Sequence, residues 1–481
     1  MSNAADSDAF QGTHWLRIAR LVPSFGVAQG VQALTGFLVA RLLFPEEYGL
    51  WSLFAVMLFY SAQLHLGAIN LMHKEVPFFL AAKDARAAEQ VTNFAFSLSL
   101  TNSVLAAAGI AGVGLLWRPP AVTWAQVILL ACLVVAQELF TFVNYWLRAY
   151  QRFAALGRFL TLYACCNLAL VAGLAWWRHL TGVLLAYIVT SSCVALCFIL
   201  RERIRLAYRC ALPRWKNVGQ ASQLLLWTMM FVFLTTLDRL FIGWRLGILA
   251  LGLFGVSLLL SNLIYNTADV VLQVLFPAAS SLAGGSHSRL QITHLLMDSA
   301  QTLSYFLAAI LGLGFLLLPA LVPILLPRYS LGIPAARVVC LGLAPLVLAQ
   351  LISVGLVVTG RLALCLLLQA TVLLAKALLL LSLQHPQLTS IALISSAANI
   401  LYFLAILAVS APASAWSWLK SLAGVAAPWL LTAAVLLFVS AAKPVPIISR
   451  LGVFLPSSLY IVLAPPLLWA AYRNTRGALH V

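Results

Sequence analysis

The sequence predicts an all-α polytopic membrane protein with about fourteen transmembrane helices. Of its 481 residues, 63% are hydrophobic and only 9% are charged, whereas soluble globular proteins carry about 25% charged residues. Apolar stretches of about 20 residues, long enough to cross ~30 Å of hydrocarbon as a helix, recur from Leu21 almost to the C-terminus. Because these stretches are continuously apolar, we expect helices and not the alternating strands of a barrel.

Each predicted span ends at a polar or charged turn. In chain order the spans are 21–43, 51–72, 91–117, 124–147, 155–177, 180–200, 221–243, 251–275, 295–326, 333–358, 362–383, 388–410, 421–440 and 451–471. Only short turns at 178–179 and 385–386 separate two of the pairs, so between about 12 and 14 helices are expected. The first apolar run is too long for the apolar region of a signal peptide, and we expect it to remain as a helix.

The basic residues predict the orientation. With the N-terminus in the cytoplasm, most of the 29 Lys and Arg lie in cytoplasmic segments, with the densest group between 201 and 216. Because cytoplasmic loops of membrane proteins generally carry an excess of Lys and Arg, this asymmetry places both termini in the cytoplasm. The net charge of +17 does not indicate nucleic-acid binding, because the basic residues are scattered between apolar segments. Those on the inner side should contact anionic lipid headgroups.

Several functional classes are excluded or disfavoured by the loops. No segment between spans exceeds about twenty residues, the longest being 201–220, so there is no room for a soluble catalytic domain. The sequence contains no GxxxxGK[ST] loop, which argues against ATP hydrolysis. The eight histidines are dispersed and the eight cysteines fall mostly within spans, so no metal or other cofactor is expected.

A weak internal repeat predicts the domain organisation. Segment 41–51 resembles 239–254, and Pro77 after the second span matches Pro277 after the eighth, an offset of about 200 residues. Six helices separate the equivalent elements, so the two copies share one orientation and a pseudo-two-fold axis along the membrane normal. We therefore expect six-helix bundles at 1–215 and 216–415, followed by two additional transmembrane helices in 416–481, with the bundles enclosing a central cavity.

Four motifs carry a resemblance to a known family. Residues 40–51 (ARLLFPEEYGLW) resemble the R-L-L-G-P-E-E-Y-G-L-Y signature of bacterial polysaccharide (O-antigen-type) flippases of the multidrug/oligosaccharidyl-lipid/polysaccharide (MOP) exporter superfamily. Residues 74–77 (KEVP), 147–153 (LRAYQRF) and 237–240 (LDRL), the last leading to 274–277 (VLFP), follow the family in the same order. The sequence departs from the signature at Phe44, where the family usually has Gly.

The resemblance implies a function. It points to a flippase of the bacterial inner membrane that moves an undecaprenyl-diphosphate-linked oligosaccharide from the inner to the outer leaflet by alternating access. It also implies contact with membrane lipids and cooperation with a polysaccharide polymerase and glycosyltransferases. The related lipid II flippases carry arginines in the middle of the first helix, where this sequence has Gln29, Gln32 and Thr35. The diphosphate must therefore find its positive charges elsewhere.

Polar stripes inside the spans are the strongest chemical signal. Sugar hydroxyls and a diphosphate lose hydrogen bonds worth several kcal/mol per group in hydrocarbon, so a flippase needs a polar cavity. Helical spacing places the stripe residues on single helix faces. They are Gln29, Gln32 and Gly36 in the first span, Glu138, Thr141, Tyr145 and Arg148 in the fourth, Asn262, Asn266, Asp269 and Gln273 in the eighth, Gln369 and Lys376 in the eleventh, and Ser395, Asn399 and Tyr402 in the twelfth.

These stripes give the candidate site. The residues expected to bind diphosphate or glycan are Arg41, Arg148, Arg239, Lys376, Gln29, Gln32, Tyr145, Asn262, Asn266, Gln273 and Asn399. The cations among them would attract the diphosphate, and Glu138 or Asp269 would couple transport to H+ or Na+. Two structural interpretations remain open: hydrogen bonds between helices for the amide and hydroxyl groups, and an ion pair such as Asp238 with Arg245 or Arg239.

Two other functions are weighed against the flippase. A multidrug exporter of the same superfamily would favour an acidic cavity for cationic drugs, whereas acids are few in these spans. A membrane-embedded polymerase or glycosyltransferase, from a different class, would need a large outer loop or an acidic catalytic pair at the interface, and the sequence has neither. An assembly scaffold would not require polar stripes within its helices.

Overall fold

The computed structural model describes residues 26–432 except 64, 117–121, 209–214, 285–288 and 411–422, together with residue 434. Every regular element in these ranges is helical, which confirms the all-α prediction. The helices are α1 (26–42), α2 (Pro45–Ser61), α3 (Ala68–Ala81), α4 (Ala85–Leu116), α5 (Trp124–Ala149), α6 (Phe153–Arg201), α7 (Trp215–Arg245), α8 (Ile248–Leu253), α9 (Gly255–Gly284), α10 (Arg289–Leu325), α11 (Ile333–Val358), α12 (Leu362–Leu381), α13 (Leu388–Ser410) and α14 (Ala423–Thr432), and a 3-10 helix covers Pro327–Gly332.

The helices follow the predicted spans in order. Eight of those described are long and apolar enough to cross a membrane by length and composition, so the protein is a multi-pass membrane protein. Helices α1 to α13 correspond to the first twelve predicted spans, and α14 covers part of the thirteenth. The last predicted span, 451–471, lies outside the described residues.

The second predicted span, 51–72, consists of two helices, α2 and α3. Helix α2 begins earlier than predicted, at Pro45, because the fixed φ of proline suits the first helical position and Glu47 accepts a hydrogen bond from the backbone N–H of Phe44 at 3.1 Å. The helical conformation is interrupted before α3. Gly67, the residue directly before α3, has a φ of 83°, which is readily accessible only to glycine. Hydropathy averaged over the whole span did not reveal this break, since Gln63 and His65 are the only strongly polar residues between α2 and α3.

Helix α6 contains both the fifth and sixth predicted spans. At 1.5 Å per residue, its 49 residues would extend about 74 Å if straight, more than twice the hydrocarbon thickness. His179 interrupts it with φ 50° and ψ −129°, and the chain folds back there. A Cβ on Gly182 would lie 1.9 Å from the carbonyl oxygen of Leu174, so the two halves approach too closely for any side chain. The turn predicted at 178–179 is therefore present.

The chain divides into two compact units between Val232 and Phe233. The predicted boundary at 215–216 falls at the start of α7 and stays a prediction. In the N-terminal unit, α5 and α6 pack around a buried aromatic cluster. In this cluster the ring of Phe140 stacks on the ring of Phe159, with 4.7 Å between centroids. The ring of Phe159 contacts that of Phe198 edge-on, with 5.1 Å between centroids. Such geometries add to the stability that burial alone provides.

Helix α11 forms the centre of the C-terminal unit, where it packs against α9, α10 and α13. A Cβ on Gly342 would lie 2.6 Å from the Cα of Ser396, so α11 and α13 meet through small residues, as is common between membrane helices. The hydroxyl of Ser396 donates to the carbonyl of Val338 at 3.0 Å and joins the same two helices. This close packing fixes the position of α13, which carries part of the candidate site.

Candidate functional site

A polar cavity lies inside the C-terminal unit, within walls built by five helices. The cavity volume is about 30 Å³, room for about one or two water molecules. Most of the lining comes from α7, α9, α11, α12 and α13. The polar or charged lining residues are Thr235, Asp238, Arg239, Ser261, Tyr265, Lys376, Ser395, Ser396 and Asn399, and the apolar ones are Leu234, Phe254, Leu258, Val339, Leu343 and Leu346. Water and polar groups therefore have a favourable place within an otherwise apolar bundle.

The lysine of α12 is held inside this cavity. The Lys376 side chain is fully buried, and its Nζ donates to the main-chain carbonyl of Leu234 at 2.8 Å and to Oδ2 of Asp238 at 3.0 Å. Both acceptors belong to α7, one helical turn apart. A lone ammonium at this depth would cost several kcal/mol, and the carboxylate offsets that cost.

The aspartate of this ion pair is also bound by the neighbouring helix. The hydroxyl of Ser395 lies 2.5 Å from Oδ1 of Asp238 and 2.9 Å from the carbonyl of Ile391. Each carboxylate oxygen thus has its own donor, one from α12 and one from α13. The resulting Asp238–Lys376–Ser395 network joins three helices, and such a network is more stable when every member is satisfied.

Two further polar groups lie in the cavity wall. Arg239, next to Asp238, is 4% exposed. Asn399 is also buried, and its Oδ1 has no hydrogen-bond partner among the described residues. A buried acceptor without a donor costs about 1–3 kcal/mol, so this amide is suited to a ligand hydroxyl or a water. Arg239 and Asn399 were both predicted to bind cargo, and the structure brings them to one cavity.

Outside the cavity, α12 and α13 share a second polar contact. Nε2 of Gln369 donates to the hydroxyl of Tyr402 at 3.1 Å, and both side chains are buried. This contact fits the alternative that the sequence left open, in which stripe residues bond helix to helix. The stripes of α12 and α13 therefore contribute both to packing and to the cavity.

A second polar cluster lies in the N-terminal unit. The guanidinium of Arg148 sits 5.3 Å from the ring centre of Tyr145, and His73 from α3 meets the same ring edge-on at 6.1 Å. Nε of Arg148 is buried and has no partner among the described residues. Glu138, two turns before Tyr145 in α5, is 5% exposed. The other stripe residues of α5, Thr141, Tyr145 and Arg148, are only half-buried. His73 joins them from a position that the sequence had not singled out.

With this geometry defined, comparison with known proteins gives the family. The model of a family described as "Polysaccharide biosynthesis protein" matches residues 38–328, more than half of the chain. The chain belongs to this family. Comparison with curated protein sequences gives no match.

Comparison with solved structures shows which proteins have a similar fold. It is similar to lipid II flippase MurJ in an inward closed conformation, with a TM-score of 0.59 and 12% identity over 92% of this chain and 98% of that one. It is also similar to a Vibrio cholerae MATE transporter, with a TM-score of 0.57 and 14% identity over 85% and 98%. An inward-facing multidrug resistance MATE family transporter of the MOP superfamily gives 0.54 and 14% over 84% and 94%. At 12–14% identity these likenesses show the fold, which is the one expected from the motifs of the sequence.

The remaining predicted residues of this family member lie in three kinds of place. Gln29 and Gln32 are half-buried in α1, and Oε1 of Gln29 has no partner in the described ranges. Arg41, at the end of α1, and Asn262, in α9, are exposed. Asn266, Asp269 and Gln273 belong to α9, but their side chains lie outside the described residues. The predicted roles of all seven stay predictions.

Lys376 differs most from its predicted role. We expected its charge to attract a diphosphate, yet in the structure it is neutralised by Asp238. The ion pair that the sequence offered as an alternative does involve Asp238, but its partner comes from α12, 138 residues away. Ser261 and Thr235 were missed as cavity residues. Thr235 lies one turn before the predicted residue Arg239, and this helical spacing is the signal that could have identified it, whereas Ser261 lies one turn before Tyr265, which was also not predicted.

Proposed function

We propose that this protein is a flippase that moves an undecaprenyl-diphosphate-linked oligosaccharide from the cytoplasmic to the outer leaflet of a bacterial inner membrane by alternating access. The observation that carries the proposal is the combination of family and fold. A member of a polysaccharide biosynthesis family shares its fold with a lipid II flippase and with exporters. Flipping a lipid-linked glycan is a step that requires a transporter and also belongs to polysaccharide synthesis.

The cavity of the C-terminal unit has the chemistry that such a cargo needs. A glycan and its diphosphate must exchange their hydrogen bonds with water for hydrogen bonds with protein. The guanidinium of Arg239 can donate two parallel hydrogen bonds to a phosphate, and the amide of Asn399 can bind a sugar hydroxyl. The prenyl chain can remain in the lipid, so the protein has to shield only the polar part.

The α5 cluster of the N-terminal unit offers a second set of cargo contacts. Arg148 supplies a cation and Tyr145 a ring with a hydroxyl, only 5.3 Å apart. Glu138, buried in the same helix, is a candidate for coupling to H+ or Na+, and Asp269 of α9 is the other. A carboxyl group in a partly dry site can bind and release a cation as its access to water changes.

The proposed orientation places both termini in the cytoplasm, since the basic residues then lie mainly on the inner side. In this orientation cargo enters from the leaflet where cytoplasmic glycosyltransferases would build it. A polysaccharide polymerase acting on the outer face would receive it. These partners follow from the order of synthesis and are proposed with the function.

The decisive experiment deletes the gene and follows its lipid-linked glycans. We expect a prenyl-diphosphate oligosaccharide to accumulate on the cytoplasmic side, where mass spectrometry of extracted lipids identifies its sugars. Restoring the wild-type gene should remove the accumulated lipid. Spheroplasts treated with a membrane-impermeant glycan-modifying reagent, compared with lysed cells, report which leaflet holds the glycan.

The same deletion strain separates the two transport functions. If no lipid-linked glycan accumulates and the strain becomes sensitive to cationic drugs, the flippase proposal is wrong and the protein is an exporter. If the oligosaccharide reaches the outer leaflet but is not polymerised, the protein acts as a polymerase. Neighbouring genes for glycosyltransferases would add independent support for the flippase.

A further inference from the structure

The buried ammonium of Lys376 contacts two oxygen atoms of the kinds that bind metal cations. These hydrogen-bond acceptors are a carboxylate and a main-chain carbonyl, at 3.0 and 2.8 Å. Ser395 and Asn399 line the same cavity with a hydroxyl and with an amide oxygen that has no hydrogen-bond partner among the described residues. Hard cations such as Na+ take carboxylate, carbonyl and hydroxyl oxygens as ligands.

Both acceptors of the Lys376 ammonium belong to one helix, α7. The carbonyl of Leu234 is one turn before Asp238, so it already accepts the helical backbone hydrogen bond of that residue. The lysine uses the second lone pair of this oxygen. A carbonyl and a carboxylate on one helix face thus converge on a single positive centre, which comes from a different helix, α12.

We propose that the Lys376 ammonium is a tethered cation that occupies a monovalent-cation site formed by α7 and α13. The protein therefore carries its cation covalently and binds no dissolved Na+ at this position. Removing the lysine side chain would leave the negative charge of Asp238 inside the bundle together with its oxygen neighbours. A small dissolved cation would then bind there. The binding part of this inference is independent of the cargo, and only its consequence for ion coupling rests on the proposed function.

The test is the thermal stability of the purified protein in detergent, in NaCl, KCl, ammonium chloride and choline chloride at equal ionic strength. The melting temperature of each variant is compared with that of the wild type in the same salt, so that the effect of any cation bound elsewhere, such as at Glu138 or Asp269, cancels. Lys376→Ala should melt lower in choline chloride and gain ~3 °C or more in at least one small-cation salt, in a saturable way, because a ligand that binds only the folded state stabilises it. Choline is too large for the vacated position and controls for ionic strength.

Two matched variants show where the cation binds. Lys376→Ala combined with Asp238→Asn lacks the carboxylate and should lose the salt response. Arg245→Ala removes an exposed arginine from the same helix, α7, and should respond to salts as the wild type does. Comparing Na+ with K+ and ammonium identifies which monovalent cation the ligand set prefers.

Two results would overturn the inference. The first is a Lys376→Ala protein whose melting temperature, relative to that of the wild type, is the same in all four salts. The second is a Lys376→Ala protein that cannot be recovered in any salt while the neutral pair Asp238→Asn/Lys376→Gln is recovered normally, since a dissolved cation then fails to replace the tethered one. Recovery in ammonium or Na+ but not in choline would support it. None of these readouts depends on flipping, so a failure of the proposed cargo is distinguishable.

Discussion

The buried ion pair predicts strong energetic coupling between residues 138 positions apart. Lys376 is fully buried, and Asp238 keeps a side-chain exposure of 13%. Removing one member of such a pair leaves the other as an uncompensated buried charge, which typically costs about 3–5 kcal/mol. Asp238→Asn and Lys376→Met should therefore each lower the melting temperature by roughly 5–10 °C.

The double variant should behave differently. Asp238→Asn/Lys376→Met removes both charges and leaves an amide beside an apolar side chain of similar length. Replacing both members of a buried pair is often close to neutral, so we expect the double variant to be more stable than either single variant. The coupling between the two substitutions should exceed about 2 kcal/mol, well above the additivity found for independent sites.

The assay is thermal unfolding of the purified variants in one detergent and one salt, followed by intrinsic fluorescence. Arg152→Ala provides a matched control, because Arg152 forms a salt bridge with Glu202 but is 47% exposed. Exposed pairs contribute about 0–1 kcal/mol, so this variant should change little. Additive effects of Asp238→Asn and Lys376→Met would refute the reasoning, since the two charges would then not stabilise each other.

Three further predictions concern the cargo contacts and the helix packing. Arg239→Gln should lower flipping by about tenfold or more in the complemented deletion strain, because a hydrogen bond to a charged group is worth about 1.5–3 kcal/mol. The control variant Arg245→Gln, on the exposed side of α7, should complement the deletion fully. Gly342→Ala should destabilise the purified protein by about 1–3 kcal/mol, because the added Cβ would lie 2.6 Å from the Cα of Ser396. The control variant Gly314→Ala in α10 should be neutral or stabilising, because the added Cβ would lie 4.0 Å from Cδ2 of Leu260. Gly182→Val should prevent the turn in α6 and reduce the folded fraction seen by size-exclusion chromatography, and a normal elution profile would contradict this.

Hydropathy predicted the helical fold because membrane spans are defined by length and composition, which are local properties. It placed the paired spans of α6 correctly and located the turn near His179. It failed at the junction of α2 and α3, where the break depends on the backbone conformation of Gly67 and not on polarity. Errors of this kind arise wherever a single dihedral angle decides the path of the chain.

The candidate site was only partly predictable. Helical spacing shows which residues share a face of a helix, but it does not show which neighbouring helix that face packs against. The stripes with Lys376 and with Ser395 and Asn399 were identified, and both face the cavity. Their common partner Asp238 could not be identified from spacing, because it is separated from Lys376 by four intervening helices. The rotation of α12 about its own axis determines whether the Lys376 ammonium contacts the Asp238 carboxylate or the lipid. Packing against the neighbouring helices sets that rotation.

Asp238 and Arg239 show how one helix can separate two electrostatic roles. Consecutive residues of an α-helix project roughly 100° apart, so the two side chains leave α7 in different directions although both line the same cavity. Asp238 binds Lys376 of α12 and Ser395 of α13. The charges of the aspartate and the lysine cancel each other. The positive potential that an anionic cargo would meet in this cavity therefore does not come from Lys376. If the proposed function is right, Arg239 is the residue of this cavity whose charge a diphosphate would meet, and the neutral pair beside it holds together the helices that position it.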